Sequence, residues 1–186
     1  MQDIKLYTIT IFSENTVGLL GQITSVFVRH QINIETLSVS PSALEGIHKF
    51  TITINSTKDL ARKLVLQIDK RVDVLKAYYN TDEELVHQEI ALYKLSTSDF
   101  LKISSVEKLV RKHTAVILDI NENNVVIQKT GHYQETQDFF EELNKLTGVL
   151  QFIRSGRIAI NKSKIERLSD MLAERDMKHK EILNKG

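Results

Sequence analysis

The strongest constraint on the fold is the order in which strand-like and helix-like apolar patterns follow one another in the first half of the chain. A period of two, typical of a half-buried strand, occurs in four segments: 5–12, 33–40, 50–54 and 72–79. Apolar residues at helical spacing separate the first segment from the second and the third from the fourth. The order βαββαβ predicts a ferredoxin-like domain, an antiparallel four-stranded sheet with both helices on one face.

The same order of patterns returns in the second half of the chain. Strands are predicted at 88–95, 115–120, 125–128 and 149–160. Helices are predicted at 103–113 and at 133–146, the second of which ends at Gly148. The sequence therefore predicts an α+β protein with two ferredoxin-like βαββαβ domains in tandem.

Breaks in these patterns predict the domain boundaries. The polar, acidic run at 80–84 is typical of a linker. We expect a first domain at 1–80, a linker at 81–87, a second domain at 88–162 and a charged helical tail at 163–186. The tail has only a weak apolar row, at Ile165, Leu168 and Leu172. It is therefore either a solvated or frayed terminal helix, or a helix that docks on another chain.

Composition excludes several classes of function. The chain has no cysteine, which rules out disulfides and thiol chemistry, and its formal net charge of +1 gives no case for nucleic acid. No apolar run is long enough to cross a membrane, and the residues after Met1 do not resemble a signal peptide. We expect a cytoplasmic protein with neither a nucleic-acid nor a membrane partner.

Catalytic and metal-binding motifs are missing as well. The six histidines, His30, His48, His87, His113, His132 and His179, show no paired spacing of the kind that binds metals. The adjacent pairs at 83–84 and 141–142 are glutamates that diverge on a helix, so they form no carboxylate dyad. We predict no catalytic residue, no metal ligand and no cofactor on this chain.

A polar loop with Asn15 and Gly18 leads from the first strand into the first helix. The start of a helix offers free N–H groups and a positive dipole end, which suit a small carboxylate. Glycine lets the backbone approach a ligand, and an asparagine amide both donates and accepts hydrogen bonds. The alternative is a turn and cap without a ligand, which explains either residue when it is considered alone.

The loop and the following strand together resemble a known family. The pattern Glu14-Asn15-x-x-Gly18-x-Leu20, followed by Asn33-Ile34-Glu35-x-Leu37-x-Val39-x-Pro41, resembles the amino-acid-binding ACT domain of the acetolactate synthase (acetohydroxyacid synthase) small regulatory subunit. The resemblance continues to about Lys162. It implies that the first domain is an ACT domain, in which Asn15 and Gly18 bind the backbone groups of an amino acid and Asn33 contributes across a dimer interface.

The resemblance also implies a site and a function. Main-chain groups around Val17 to Leu19 would meet the carboxylate of the amino acid, and Leu19 and Ile34 would line its aliphatic side chain. The family performs no chemistry itself: it activates the catalytic large subunit and confers feedback inhibition, typically by valine, and otherwise by isoleucine or leucine. Thiamine diphosphate, FAD and magnesium are expected on that catalytic partner, and a homodimer through the ACT domain is expected for this chain.

A second stretch, at 154–160, resembles the segment that closes the second domain of the family, and Thr130-Gly131 matches a Thr-Gly there. Ser155 replaces the family's threonine, and Tyr93 with Lys94 lies in a strand that the family makes more aliphatic. One interpretation of Arg154 and Arg157 is contact with the catalytic subunit. The other is a β-bulge with solvated arginines.

Two other classes of function share features with this chain. A free-standing ACT-type amino-acid sensor or transcriptional regulator would need an output module such as a helix-turn-helix or a basic face, and the sequence has neither. An RNA-binding module has the same βαββαβ order but needs stacking aromatics on its third strand. Here that strand alternates threonines with Phe50, Ile52 and Ile54.

Overall fold

The structure, a computed structural model, describes residues 3–102 and 104–183, with side chains as far as residue 177. Ile103, with which the third predicted helix begins, and the side chain of His179 lie outside the described part. The strands are β1 (Lys5–Glu14), β2 (Thr36–Pro41), β3 (Ile47–Ser56), β4 (Val74–Asn80), β5 (Leu85–Ser96), β6 (Val116–Ile120), β7 (Asn124–Gly131) and β8 (Gln151–Asn161). The helices are α1 (Leu19–Arg29), α2 (Lys58–Asp69), α3 (Thr97–Lys102), α4 (Ser104–Lys112), α5 (Tyr133–Thr147) and α6 (Leu168–Leu183), with a 3₁₀ turn at Asp82–Glu84.

The strands form two four-stranded sheets with the same strand order, β2-β3-β1-β4 in the first and β6-β7-β5-β8 in the second. In the first sheet, β1 pairs antiparallel with both β3 and β4, and β2 lies at the edge beside β3. This arrangement confirms the predicted pair of ferredoxin-like domains. Several element boundaries differ by a few residues, and one of these bears on the predicted site: the strand predicted from Asn33 begins at Thr36, and residues 33–35 precede it as irregular chain.

The chain divides into two compact units. The first is Met1–Val86 together with Ala159–Gly186, and the second is His87–Ile158. The segment predicted as a separate tail, 163–186, therefore groups with the first unit. Within the part of the chain that the structure describes, no helix is both long and apolar enough to cross a membrane.

The core of the first unit lies between its sheet and the helices α1 and α2. Alternate residues of β1, namely Tyr7, Ile9 and Ile11, contribute to this core, with Ile23 of α1 and Leu64 of α2 buried against them. The intervening residues of β1 point to the opposite face of the sheet, as the period of two requires. The amphipathic pattern of the sequence thus decides which face of the sheet the two helices cover.

The second unit has its own core, built around an aromatic cluster. Tyr93 is fully buried, stacks on Phe152, meets Phe139 edge-on and donates from its hydroxyl to the main-chain oxygen of Thr136 at 2.7 Å. Burial raises the pKa of the Tyr93 hydroxyl, so it stays protonated as a donor. The tyrosine that departs from the family's aliphatic pattern is therefore a core residue whose polar end is satisfied.

The C-terminal helix packs on the first unit of its own chain, which neither sequence-based interpretation of the tail anticipated. Leu168, Met171 and Leu172 lie half-buried against a small buried cluster of the first unit. That cluster is Phe12, Ile47 and Leu75. Phe12 follows Ile11 on β1 and so faces away from α1 and α2. Helix α6 therefore covers part of the sheet face that α1 and α2 leave uncovered.

Candidate functional site

The predicted effector loop is a tight connection between β1 and α1. The main-chain N–H of Asn15 donates to the oxygen of Gly46 at 2.9 Å, which ties the loop to the β2–β3 hairpin. Gly18 is the N-cap of α1 with φ +85°, a left-handed conformation that side chains other than glycine adopt at a cost. A Cβ at this position would meet nothing within 4 Å, so the glycine is required by the backbone and not by crowding.

The first turn of α1 is unusually free of capping groups. Gly18 offers no side-chain cap, and the turn contains no acidic residue. Within the predicted span of Val17 to Leu19, the N–H of Leu19 donates to the oxygen of Thr16 at 3.2 Å, and the helical hydrogen bonds begin with Gln22 N–H to the oxygen of Gly18 at 3.1 Å. The arrangement offers main-chain donors and a helix dipole to an anion.

The other predicted residues differ in their exposure. Asn15 and Asn33 are exposed, and the side chain of Val17 is 100% exposed. Leu19 is buried in the core of the first unit, and Ile34 is half-buried against the same core. Of the two residues predicted to line the aliphatic side chain, only Ile34 therefore keeps exposed surface of any size.

Within one chain, the structure does not bring Asn33 near Asn15 and Gly18. Asn33 precedes β2, whose first residue Thr36 pairs with Thr53 of β3, whereas the loop follows β1 at Glu14, which pairs with Ile47 at the other end of β3. The six residues of β2 separate the two ends of the sheet by about 20 Å. Asn15 and Asn33 of the same chain therefore do not share one small ligand.

A second copy related by a two-fold axis would bring these residues together. Strand β2 pairs with β3 on one side and is the edge of the first sheet. If the β2 strands of two copies pair antiparallel, the Asn33 end of one lies beside the Pro41 end of the other. The loop is bonded to that end, because Asn15 donates to Gly46 in the following hairpin.

Sequence reasoning missed a cation beside this loop. Arg71, in the connection between α2 and β4, donates from its guanidinium to the side-chain oxygen of Gln22 in α1. Its Nε is buried and has no hydrogen-bond partner among the residues that the structure describes. The loop of Arg71 also meets the end of β1, since Glu14 N–H donates to the oxygen of Asp73 at 2.9 Å. No motif marks this arginine, because only the fold brings residues so far apart in sequence together.

A pocket of about 600 Å³ lies at the opposite end of the first unit. It is lined by residues from the start of β1, the start of α2 and the end of β4, including Lys5, Tyr7, Thr57 and Tyr79. None of the six predicted effector residues lines it. Cations and acids alternate around it, so it has no clear preference for one ligand charge. We favour the loop because a site shared by two copies leaves no closed pocket in a single chain.

His30, His113 and Glu142 have ordinary structural partners. His30 caps the end of α1 and hydrogen-bonds Gln67, and His113 packs on Phe139 and lies 3.1 Å from Glu142. The hydrogen bond from Lys112, with a smaller contribution from His113, lowers the pKa of Glu142. Among the side chains that the structure describes, at 3–102 and 104–177, no three histidine or acidic groups lie close enough to hold a metal ion.

One pair of histidines does meet. His87 of β5 and His132, the N-cap of α5, approach to 3.4 Å between their Nδ1 atoms. The two residues are too far apart in sequence for a spacing motif to reveal the contact. His132 also takes part in a capping box with Glu135, which gives it a structural role at the start of the helix.

The structure corrects one of the two interpretations of the arginines at 154 and 157, that of solvated side chains. Arg154 is largely buried and pairs with Glu89 at 3.0 Å, and its guanidinium lies over the ring of Tyr133 at 4.1 Å. Arg157 is 8% exposed and has an interaction partner. Neither arginine is solvated, and Arg154 makes its ion pair inside the second unit. Contact of either residue with the catalytic subunit stays a prediction. Gly156 between them has φ +73°, a left-handed conformation that one class of β-bulge requires.

The third strand offers no platform for RNA bases. Phe50, Ile52 and Ile54 are buried in the core beneath α1 and α2, and Thr51 and Thr53 alternate with them on the other face. RNA-binding modules of this topology stack bases on exposed aromatic side chains of their sheet. The burial of Phe50 therefore argues against this function.

Comparison with known proteins identifies the family. Residues 9–76 match the family described as "AHAS small subunit-like ACT domain", and residues 88–163 match "Small subunit of acetolactate synthase". The acetolactate synthase small subunit of Buchnera aphidicola subsp. Baizongia pistaciae is 29% identical over 155 residues, which cover 83% of this chain and 97% of the relative. That of Bacillus subtilis is 25% identical over 156 residues, which cover 83% of this chain and 88% of the relative.

A solved structure supports the fold. The crystal structure of the acetolactate synthase small subunit from Thermotoga maritima has a TM-score of 0.78 and 22% sequence identity to this chain. It covers 87% of this chain and 100% of its own. With both predicted domains matched by the two family descriptions, the chain belongs to the family of acetolactate synthase small subunits.

Proposed function

We propose that this chain is the regulatory subunit of an acetolactate synthase that makes precursors of the branched-chain amino acids. In this proposal it binds the catalytic large subunit, raises its activity and confers feedback inhibition by valine. Thiamine diphosphate, FAD and magnesium belong to the catalytic partner, and the chain itself carries no active site. Family membership supports the partner, since the matching relatives are named as small subunits of that enzyme.

The observation that carries the effector site is the uncapped start of α1 beside an unpaired sheet edge. Free N–H groups after Gly18, with the dipole of α1 behind them, suit the carboxylate of an amino acid. Asn15 is exposed beside them, and its side-chain oxygen would accept from the ligand's ammonium group. Asn33 and Ile34 would come from a second copy, which makes the homodimer part of the site.

Inhibition then follows from linkage between two states of the dimer. A ligand that bridges two copies favours the arrangement in which Asn15 of one lies beside Asn33 of the other. It shifts the activity of the complex only by its difference in affinity for the two arrangements, usually about 1–3 kcal/mol. Selection among valine, leucine and isoleucine depends on one methylene or on branching, worth about 1–3 kcal/mol.

The test is acetolactate formation by the cognate large subunit with this chain titrated in and each of the three amino acids added in turn. We expect the rate to rise with the small subunit and to fall again on addition of valine. A rise that no amino acid reverses would refute the effector site but keep the regulatory subunit. No change in rate, with no complex in sedimentation, would favour the free-standing amino-acid sensor.

The homodimer makes a separate prediction. Val39 lies near the middle of β2, so the two copies of Val39 approach each other where two β2 strands pair. Val39→Asp places like charges at that contact, and we expect the dissociation constant of the dimer to rise at least about tenfold. Analytical ultracentrifugation measures the change. Val28→Asp, on the exposed side of α1, is the control with the same change in charge. Equal dissociation of the two variants would argue against an interface along β2.

A further inference from the structure

The C-terminal helix is attached to the first unit at several separate points, which is more than a solvated helix needs. Half-buried Leu168, Met171 and Leu172 rest on the cluster around Phe12 and Leu75. The three apolar residues follow one another at helical spacing, so they form a single contact face. Family similarity ends at residue 163, so this contact is made by a segment outside the family match.

Polar contacts anchor the segment just before the helix. Glu166 pairs with Lys49 at 2.8 Å and accepts a hydrogen bond from the hydroxyl of Tyr78. Lys49 and Glu166 are both less than one-fifth exposed, so solvent screens this pair only partly. Burial, with a further contribution from Glu166, raises the pKa of Tyr78, which keeps its hydroxyl protonated as the donor. The helix is therefore held at its start by groups on β3 and β4.

The far end of the contact reaches the predicted effector loop. Arg175 of α6 is largely buried and pairs with the carboxylate of Glu14, the last residue of β1. Glu14 is followed immediately by Asn15, and its own N–H is bonded to Asp73. The guanidinium thus holds the side chain of the residue from which the loop begins.

We propose that α6 is a strap that fixes the effector loop in its binding conformation through the pair of Arg175 with Glu14. A loop that is ordered before binding loses less conformational freedom when the ligand arrives, so its affinity is higher. By reciprocity, an amino acid bound at the loop stabilises the docked helix by the same factor. The coupling between α6 and amino-acid binding rests on the proposed function, whereas the ordering of the loop by α6 does not.

The test compares Arg175→Ala with the wild-type chain by hydrogen exchange of the main chain at 12–21, without any amino acid. We expect exchange in this loop to become at least about fivefold faster in Arg175→Ala. Arg167→Ala is the matched control, since it removes an exposed arginine just before the same helix. Equal loop exchange in the wild type and Arg175→Ala, with α6 still protected, would overturn the strap.

Isothermal titration with valine then measures the coupling in the same proteins. The Kd of Arg175→Ala should rise at least about fivefold, the lower end of usual coupling between two sites, and that of Arg167→Ala should not change. Valine should in turn slow exchange of α6 in the wild type. An unchanged Kd despite a faster loop would overturn the coupling. If the wild type binds no aliphatic amino acid, the proposed function fails, and loop exchange alone decides whether α6 is a strap.

Discussion

Arg154→Ala is expected to destabilise the second unit by about 3–5 kcal/mol, because it leaves a buried carboxylate without its counter-charge. Glu89 is only 6% exposed in its side chain, and Arg154 Nε lies 3.0 Å from its carboxylate. The same guanidinium donates to Gln137 at 2.7 Å and lies over the rings of Tyr133 and Phe152. Urea denaturation of the full chain, followed by near-ultraviolet signals of the tyrosines, measures the loss.

Two further variants distinguish the cost of leaving a buried charge unpaired from the cost of removing any cation. Arg111→Ala removes an exposed pair with Glu107 on α4, for which we expect a loss of about 0.3–0.5 kcal/mol. The double variant Arg154→Met with Glu89→Leu removes both buried charges, and it should recover most of the stability. A loss below about 1 kcal/mol in Arg154→Ala would contradict the argument, as would a double variant less stable than the single one.

The fold was predictable because the spacing of apolar residues changes between the strand period of two and the helix period of about 3.6 from one element to the next. The residues Tyr7, Ile9 and Ile11 on β1 are the buried set that the period of two predicts. Arg154 shows where this reasoning ends. Its partners Glu89 and Thr136 lie on β5 and α5, and only the adjacency of β8 to those elements brings them together. A pattern in the local sequence cannot distinguish an arginine that pairs inside the fold from one that faces solvent.

The C-terminal helix was hard to predict for a related reason. Its apolar row is weak because only Leu168, Met171 and Leu172 make contact, and the surface they cover lies on the opposite face of the sheet from the main core. One signal was present in the sequence: Phe12 follows Ile11 directly and so adds a large apolar side chain to the face that Thr8 and Thr10 occupy. An aromatic residue out of phase with its strand indicates that something covers the second face.

Mixing two variants that each bind valine weakly should restore tight valine binding, if the effector site is shared between two copies. Asn15→Ala removes hydrogen bonds to the charged groups of the ligand, worth about 1.5–3 kcal/mol, so Kd should rise roughly 10- to 150-fold. Asn33→Ala should have a similar effect, although the two residues lie at opposite ends of the sheet within one chain. Isothermal titration measures each variant, and Asn123→Ala in an exposed turn of the second unit is the control that should bind normally.

In the mixed dimer, one of the two sites receives both substitutions and the other receives neither. Equal mixing after exchange of subunits should therefore restore about a quarter of the wild-type sites at the wild-type affinity. A site contained within one chain behaves differently, since every copy still carries one substitution and mixing restores none. The same titration on the mixture thus decides whether the Asn33 end of β2 in one copy completes the loop at Asn15 and Gly18 in the other.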